Sequence, residues 1–184
     1  MNYTDINAKT VDSWVQNGWE WGKPISHEVF EKARNGEWGV YLTPTKTVPH
    51  AWFGEMKGKK ILGLASGGGQ QIPVFTALGA DCTVLDYSAE QLKREEEVGA
   101  REGYTPKCVR SDMTKPLPFE DGTFDLIFNP VSNCYVESFN RFLIISLDVL
   151  ICRYSPLLRA FPALFISEEP HKSFYYPSCF HSQK

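Results

Sequence analysis

The sequence lacks the marks of secreted, membrane-bound and zinc-binding proteins. Its five cysteines are Cys82, Cys108, Cys134, Cys152 and Cys179. An odd number of scattered cysteines without a CxxC pair predicts neither a disulfide framework nor a metal site. The N-terminus has no basic-then-apolar leader, and the longest apolar stretch, 142–152, is shorter than the roughly 20 residues of a membrane span. We therefore expect a cytoplasmic protein with no metal and no membrane partner.

The sequence also lacks an excess of basic residues. It has 19 Lys and Arg against 22 Asp and Glu, which gives a net charge of -3. A chain with this net charge has no overall positive electrostatic potential that attracts polyanions, so we do not expect a nucleic-acid partner. The chain of 184 residues is long enough for one buried core. Nothing in the sequence predicts the oligomeric state.

Residues 57–137 alternate between segments typical of buried strands and segments typical of helices. Strands are predicted at 60–64, 82–85, 107–110 and 124–128, and helices at 70–78 and 88–103. Ser88 and Gln91 have the spacing of a capping box, which marks the start of the second helix. Because strands that alternate with helices need crossover connections, we predict an α/β fold with a Rossmann-like, mostly parallel sheet and flanking helices.

A glycine-rich loop, residues 62–71, joins the first predicted strand to the first helix. Glycines let the backbone turn sharply and approach a ligand closely, and free amides before a helix favour an anionic group. Asp86 ends the next strand, where a carboxylate can accept hydrogen bonds from both ribose hydroxyls. The loop and Asp86 together predict a nucleoside cofactor. The loop does not match the GxGxxG fingerprint of dinucleotide-binding proteins.

Over residues 57–137 the sequence resembles the class I S-adenosylmethionine-dependent methyltransferases. Four stretches match the family's motifs in order: 62–69, 84–88, 111–113 and 117–127. The resemblance implies S-adenosylmethionine as the cofactor. It implies cofactor contacts from Ala65, Ser66, Gly67, Gly69, Asp86, Tyr87, Asp112 and Met113.

The resemblance also implies a role for most of these residues. Ser66, Gly67 and Gly69 would wrap the methionine end of the cofactor. Asp86 would hold the ribose, and Tyr87 would pack against the adenine. Asp112 would accept from the adenine amino group beside the Met113 backbone; the alternative for Asp112 is a carboxylate that caps a turn.

Two positions depart from the family pattern. Gly63 stands where an acidic residue is usual, and Ala65 stands where a glycine is usual. Either cofactor affinity is weakened, or the chain belongs to a subgroup that places the methionine end differently. The distinctive sequence of Gly68, Gln70 and Gln71 favours a subgroup.

The acceptor side is predicted at the end of the fourth strand. Asn129, Ser132 and Asn133 are candidates for contact with the methyl acceptor, although a plain strand-to-loop turn also explains them. His27 and His50 are isolated candidates for acid–base chemistry. No catalytic residue is predicted, because an activated methyl group mainly requires an aligned acceptor and a dry site.

The two ends of the chain differ from its middle. Residues 1–56 hold all five tryptophans and predict helices at 5–16 and, capped by Ser26, at 26–35; this segment is either a satellite core or a lid over the site. Residues 138–184 form an atypical hydrophobic, phenylalanine-rich tail. It resembles a truncated or frame-altered product after about residue 137, and it would leave a sheet edge open unless 142–152 supplies strands.

The sequence thus predicts an S-adenosylmethionine-dependent methyltransferase that acts on a small molecule. The alternative is a non-catalytic remnant that retains at most cofactor binding. A nicotinamide-dependent oxidoreductase is a third hypothesis, which the spacing of the glycines disfavours.

Overall fold

The computed structural model describes residues 2–43, 46–129 and 132–138, together with Asn140 and Ser146. The helices are α1 (Tyr3–Gln16), α2 (His27–Arg34), α3 (Gln71–Ala77) and α4 (Ala89–Glu102). The strands are β1 (Tyr41–Thr43), β2 (Lys46–Thr47), β3 (Lys60–Leu64), β4 (Asp81–Asp86), β5 (Lys107–Arg110) and β6 (Leu126–Phe128). These elements lie in one compact unit of the chain. Most of the predicted tail, including the strands suggested at 142–152, lies outside the described residues.

The predicted parallel sheet is confirmed. Four strands pair in the order β5-β4-β3-β6, and every pairing is parallel. The chain passes from β3 outward to β4 and β5, and then returns to place β6 on the other side of β3. The strand order therefore reverses beside β3, where ligands of open α/β sheets bind. A separate antiparallel pair joins β1 and β2, which the sequence did not predict.

The central strand β3 is buried on both faces, as the apolar run Ile61-Leu62-Gly63-Leu64 requires. Ile61 packs with Phe75 on one face, whereas Leu62 and Leu64 pack with Leu85 on the other. All three β3 side chains are fully buried. Since burying one such side chain contributes about 1.5–3 kcal/mol, this strand anchors the site that follows it.

The predicted helix starts are confirmed at Ser26 and Ser88. Their hydroxyl oxygens accept from the backbone N–H groups of Val29 and Gln91, at 3.3 and 3.1 Å. Only one of the two hydrogen bonds of the capping box at Ser88 is formed. The Gln91 side chain donates to the Trp21 carbonyl oxygen rather than bonding back to the Ser88 backbone. Gly103, at φ 77°, ends α4 in the left-handed conformation that glycine adopts without strain.

The tryptophan-rich segment packs both against the core and against helix α4. Trp38 and Trp52 pack against the core that contains Phe75. Helix α1 packs against α4, where Asp12 accepts hydrogen bonds from the Ser88 hydroxyl and the Glu90 amide at 2.6 and 3.1 Å. The segment therefore contains a packing layer, as one of the two interpretations predicted, and its role as a lid over the site stays a prediction.

None of the helices in the described residues has the length and apolar character needed to span a bilayer.

Candidate cofactor site

The predicted cofactor residues follow the carboxyl ends of neighbouring parallel strands. Ala65 follows β3, Asp86 ends β4, and Asp112 and Met113 come shortly after β5. Asn129 follows β6 directly. Because these strand ends share one edge of the sheet, the fold gathers the residues around the point where the strand order reverses.

The amides of the glycine loop donate to other parts of the protein. The Gly67 amide donates to Asp86 Oδ2 at 3.1 Å, and the Gly69 amide donates to Glu95 Oε1 at 2.6 Å. The Gly68 amide donates to the Gln91 carbonyl at 2.9 Å. The expectation that loop amides are free for an anionic group is therefore wrong for these three, because α4 and Asp86 already satisfy them.

The glycines are required for packing against protein. Gly69 has φ 69°, and a Cβ atom there would lie 2.9 Å from both the Arg94 carbonyl oxygen and Val98 Cγ2. A Cβ atom at Gly68, which has φ 101°, would lie 2.8 Å from the Trp21 carbonyl oxygen. Close approach, which was expected toward a ligand, occurs here between the loop, α4 and the N-terminal segment.

The Asp86 carboxylate accepts hydrogen bonds from two backbone amides, one in the glycine loop and one just after β4. Its Oδ2 atom accepts from Gly67, and its Oδ1 atom accepts from the Ser88 amide at 2.9 Å. The residue is 9% exposed, and burial raises the pKa of its carboxyl to about 6. Each oxygen keeps a second lone pair, so the carboxylate can still accept from a hydroxyl.

Tyr87 and Asp112 each have a partner within the protein. The Tyr87 hydroxyl donates to Asp5 Oδ1 at 2.7 Å, which connects the site to α1. Asp112 Oδ1 accepts from the Thr114 amide and hydroxyl at 2.9 and 2.7 Å, so it caps a turn as the alternative proposed. Its Oδ2 atom is left for an adenine amino group, a contact that stays a prediction.

Ser66 and Met113 are held by nearby contacts. The Ser66 hydroxyl donates to Gln71 Oε1 at 3.4 Å in a buried setting. The Met113 side chain packs against the core that includes Leu62 and Leu85.

The predicted acceptor residues lie at the reversal point. The Asn129 amide nitrogen donates to the Leu64 carbonyl at 2.6 Å and to the Ser132 hydroxyl at 2.8 Å, which links β6 to β3. Within the described part of the chain, the buried Asn129 Oδ1 atom has no hydrogen-bond partner. Asn133 is part of a short 3-10 helix, Ser132–Tyr135, and its carbonyl accepts from the Val136 amide. The structure thus joins Asn129 to Ser132 and leaves a buried acceptor atom at the strand end.

Both departures from the family pattern have a structural counterpart. A Cβ atom at Gly63 would lie 2.5 Å from Ile72 Cγ1 and Cδ1, so Ile72 fills the space of a side chain there. Ala65 has φ 47°, in the left-handed region that favours glycine. At Ala65 the loop therefore has a backbone conformation that glycine would adopt without strain.

Glu95 is the residue of this site that sequence reasoning missed. It lies within a charged stretch, 93–97, yet it is fully buried against the loop. A signal was present, because Leu92, Glu95 and Val98 recur at helical spacing on one face of α4.

The two histidines have contacts outside the predicted cofactor set. The His50 Nε2 atom is 2.8 Å from the Trp38 carbonyl oxygen, and the His27 Nδ1 atom is 2.8 Å from Glu102 Oε2. His27, Glu31 and Glu102 bring three potential metal-ligand atoms within 4.8 Å of one another. Both carboxylates already pair with an arginine, which opposes a cation at that place.

Comparison with known proteins gives a consistent family. Residues 62–151 match a family model described as a methyltransferase domain. Over 132 residues the chain is 45% identical to the uncharacterized methyltransferase YbaJ of Bacillus subtilis strain 168. That alignment covers 72% of this chain and 52% of the relative, so the chain spans about half the length of the curated relative it matches.

One solved structure of similar fold supports the sheet arrangement, and a second is similar over about half of the chain. A protein of Methanococcus maripaludis, provisionally named an S-adenosyl-L-methionine-dependent methyltransferase, aligns with a TM-score of 0.52 at 14% identity. The alignment covers 92% of this chain and 74% of that one. An S-adenosylmethionine-dependent methyltransferase of Mesorhizobium loti is 27% identical, with a TM-score of 0.46 over 54% of this chain and 45% of its own.

Proposed function

Because this chain belongs to the class I S-adenosylmethionine-dependent methyltransferases, with S-adenosylmethionine as cofactor, we propose that it methylates a small molecule. The observation that carries the proposal is the position of Asp86. It ends β4 beside the glycine loop, one strand away from the reversal point of the sheet. The cytoplasm is the proposed location, and nucleic acid is not a proposed partner.

The residues present fit the adenosine part of the cofactor. Asp86 and Asp112 place carboxylate oxygens after two adjacent strands, and each carboxylate keeps lone pairs beyond its internal hydrogen bonds. Hydroxyl and amino groups are the donors that such oxygens accept. We assign the ribose to Asp86 and the adenine amino group to Asp112, with Tyr87 and the Met113 backbone beside them.

For the methionine part of the cofactor we propose contacts that do not rely on the amides of Gly67 and Gly69. The amides of Gly67 and Gly69 are committed to Asp86 and Glu95, so Ala65 and Ser66 are the loop residues proposed to face that part. The unpartnered Asn129 Oδ1 atom adds a buried acceptor at the neighbouring strand end. An unmet acceptor in a buried position costs about 1–3 kcal/mol, which a donor from the cofactor or the acceptor molecule offsets.

The cofactor supplies an activated methyl group, and the protein orients the acceptor and excludes water. Asn129 and Ser132, joined by a hydrogen bond, are the side chains proposed to orient the acceptor, with Asn133 next in sequence. The polar Asn129 oxygen favours an acceptor molecule that presents an N–H or O–H group.

Calorimetric titration with S-adenosylhomocysteine and with NAD tests the proposal. We expect S-adenosylhomocysteine to bind and NAD not to bind. Asp86→Asn removes a charged acceptor, so it should weaken binding by about 10- to 100-fold, the equivalent of roughly 1.5–3 kcal/mol.

Asp125→Asn is the matched control. Asp125 Oδ2 also accepts from a backbone amide, that of Lys60, at 2.8 Å, but it lies at the start of β3. The Asp125→Asn variant loses the same kind of charged acceptor at a place outside the site, so its affinity for S-adenosylhomocysteine should equal that of the native chain. Equal losses in both variants, or binding of NAD alone, would contradict the proposal.

A further inference from the structure

Glu95 is a buried carboxyl group in direct contact with the glycine loop. It lies in the middle of α4 with no exposed surface. Its Oε1 atom accepts from the Gly69 amide at 2.6 Å, and in the described part of the molecule its Oε2 atom has no hydrogen-bond partner. A carboxyl group with one bound and one unbound oxygen in a dry site is suited to carry a proton.

Among the described residues, the charged group that acts most directly on Glu95 is Asp86, which is itself an anion. The titratable groups that interact with it are Asp86 and Cys82 on β4, Cys108 on β5 and Tyr104 after α4. The loop 66–69 and helix α3 contain no titratable residue. The adjacent Arg94 pairs instead with Glu97 at 2.8 Å. Burial, with a smaller effect of Asp86, raises the pKa of Glu95 to about 8.

We propose that protonated Glu95 positions the glycine loop for S-adenosylmethionine, so that cofactor affinity falls when Glu95 ionises. The inference rests on the function proposed above. Glu95 is a positioning residue, because it touches the loop and not the reacting groups. In the neutral form its carbonyl oxygen accepts from Gly69 while the other oxygen carries the hydrogen.

Ionisation is expected to separate the loop from α4. An unpaired charge in the interior costs several kcal/mol, and water must reach it to lower that cost. The loop closes the space, since a Cβ atom at Gly69 would already meet Val98 at 2.9 Å. Hydration of Glu95 therefore requires Gly69 to move away, while Asp86 still holds Gly67. The segment that leads from Ala65 into α3 then changes its conformation.

The test is calorimetric titration of the full chain with S-adenosylhomocysteine at pH 7 and pH 9. For a group that titrates near pH 8, the neutral fraction falls about tenfold over this range, so the native Kd should rise about tenfold. Glu95→Gln keeps an amide oxygen for Gly69 and cannot ionise. It should bind S-adenosylhomocysteine like the native chain at pH 7. Because the ligand's own ionisation affects both proteins equally, the ratio of native to variant Kd at each pH cancels that effect.

Glu95→Leu is the second variant. It fills the volume but offers no acceptor to Gly69, so it should bind more weakly than Glu95→Gln at both pH values. Circular dichroism checks that each variant folds, and if the leucine variant unfolds, the glutamine comparison decides.

The outcomes separate the two hypotheses. No binding of S-adenosylhomocysteine to the native chain at pH 7 overturns the proposed function. Binding with the same pH dependence in native and Glu95→Gln overturns the role of Glu95 and leaves the proposed function in place.

Discussion

Replacing Ala65 by glycine should stabilise the protein, although glycine usually destabilises. Ala65 has φ 47°, and its amide donates to the Leu85 carbonyl at 2.7 Å, so the backbone is held in the left-handed region. A residue with a Cβ atom loses about 1–2 kcal/mol in that conformation, and glycine does not.

Two opposing terms set the size of the effect. Ala65→Gly removes the strain but gives the unfolded chain more freedom, which costs about 0.4–1 kcal/mol. We expect a net gain of about 0.5–1 kcal/mol in the free energy of unfolding. For a chain of this size that corresponds to a rise of roughly 1–4 °C in Tm.

Urea and thermal unfolding, followed by circular dichroism, measure this change. Ala100→Gly is the matched control, because Ala100 is exposed in the last turn of α4 and has no positive φ. The control should lose about 0.5–1 kcal/mol. If both variants lose stability by the same amount, the strain at Ala65 is refuted.

The remaining predictions concern Glu95 and the contact between Gly63 and Ile72. Because burial raises the pKa of Glu95 from its ordinary value of 4.5 to about 8, the folded state keeps a proton between these pH values that the unfolded state has lost. The contribution of Glu95 to the free energy of unfolding should therefore be complete below about pH 4.5. It should fall by up to about 5 kcal/mol as the pH rises to 8. Glu95→Gln should flatten that part of the curve measured by urea unfolding; an unchanged curve would count against a buried neutral carboxyl. Gly63→Ala should destabilise by about 1–3 kcal/mol through overpacking on Ile72, and Ile72→Ala in the same chain should recover part of that loss. Additive losses in this double-mutant cycle would rule out the steric contact.

Local sequence signals predicted most of the sheet and its helices. The strands at Lys60–Leu64 and Lys107–Arg110 have the predicted bounds. For the first of them, an apolar run after charged residues leaves few alternatives. The helix that begins after Ser88 also starts and ends as predicted, because a capping serine and a left-handed glycine act within a few residues. The antiparallel pair of β1 and β2 carried no comparable signal.

The contacts of the loop could not be predicted in the same way. The sequence identified the glycines of 67–69 but not what they approach, since that depends on how α4 packs. Glu95 lies among charged neighbours, so the stretch 93–97 indicates a solvent-exposed face. Only the helical spacing of the residues around it indicates that Glu95 belongs to the buried face of α4. The expectation that loop amides are free did not hold for the same reason: their acceptors lie at positions 86, 91 and 95.

The hydrogen bonds that bind α1 to the rest of the molecule have a consequence for the order of folding. Asp5 and Asp12 find their partners 76 to 82 residues later, at Tyr87, Ser88 and Glu90. Contacts so distant in sequence close a long loop and form late. Helix α1 precedes β4 and α4 in the chain, so its docking waits until β4 and the start of α4 have formed. With Ile6 and Trp14 partly exposed, it is also the helix that local unfolding should release first, and hydrogen exchange along α1 would record that step.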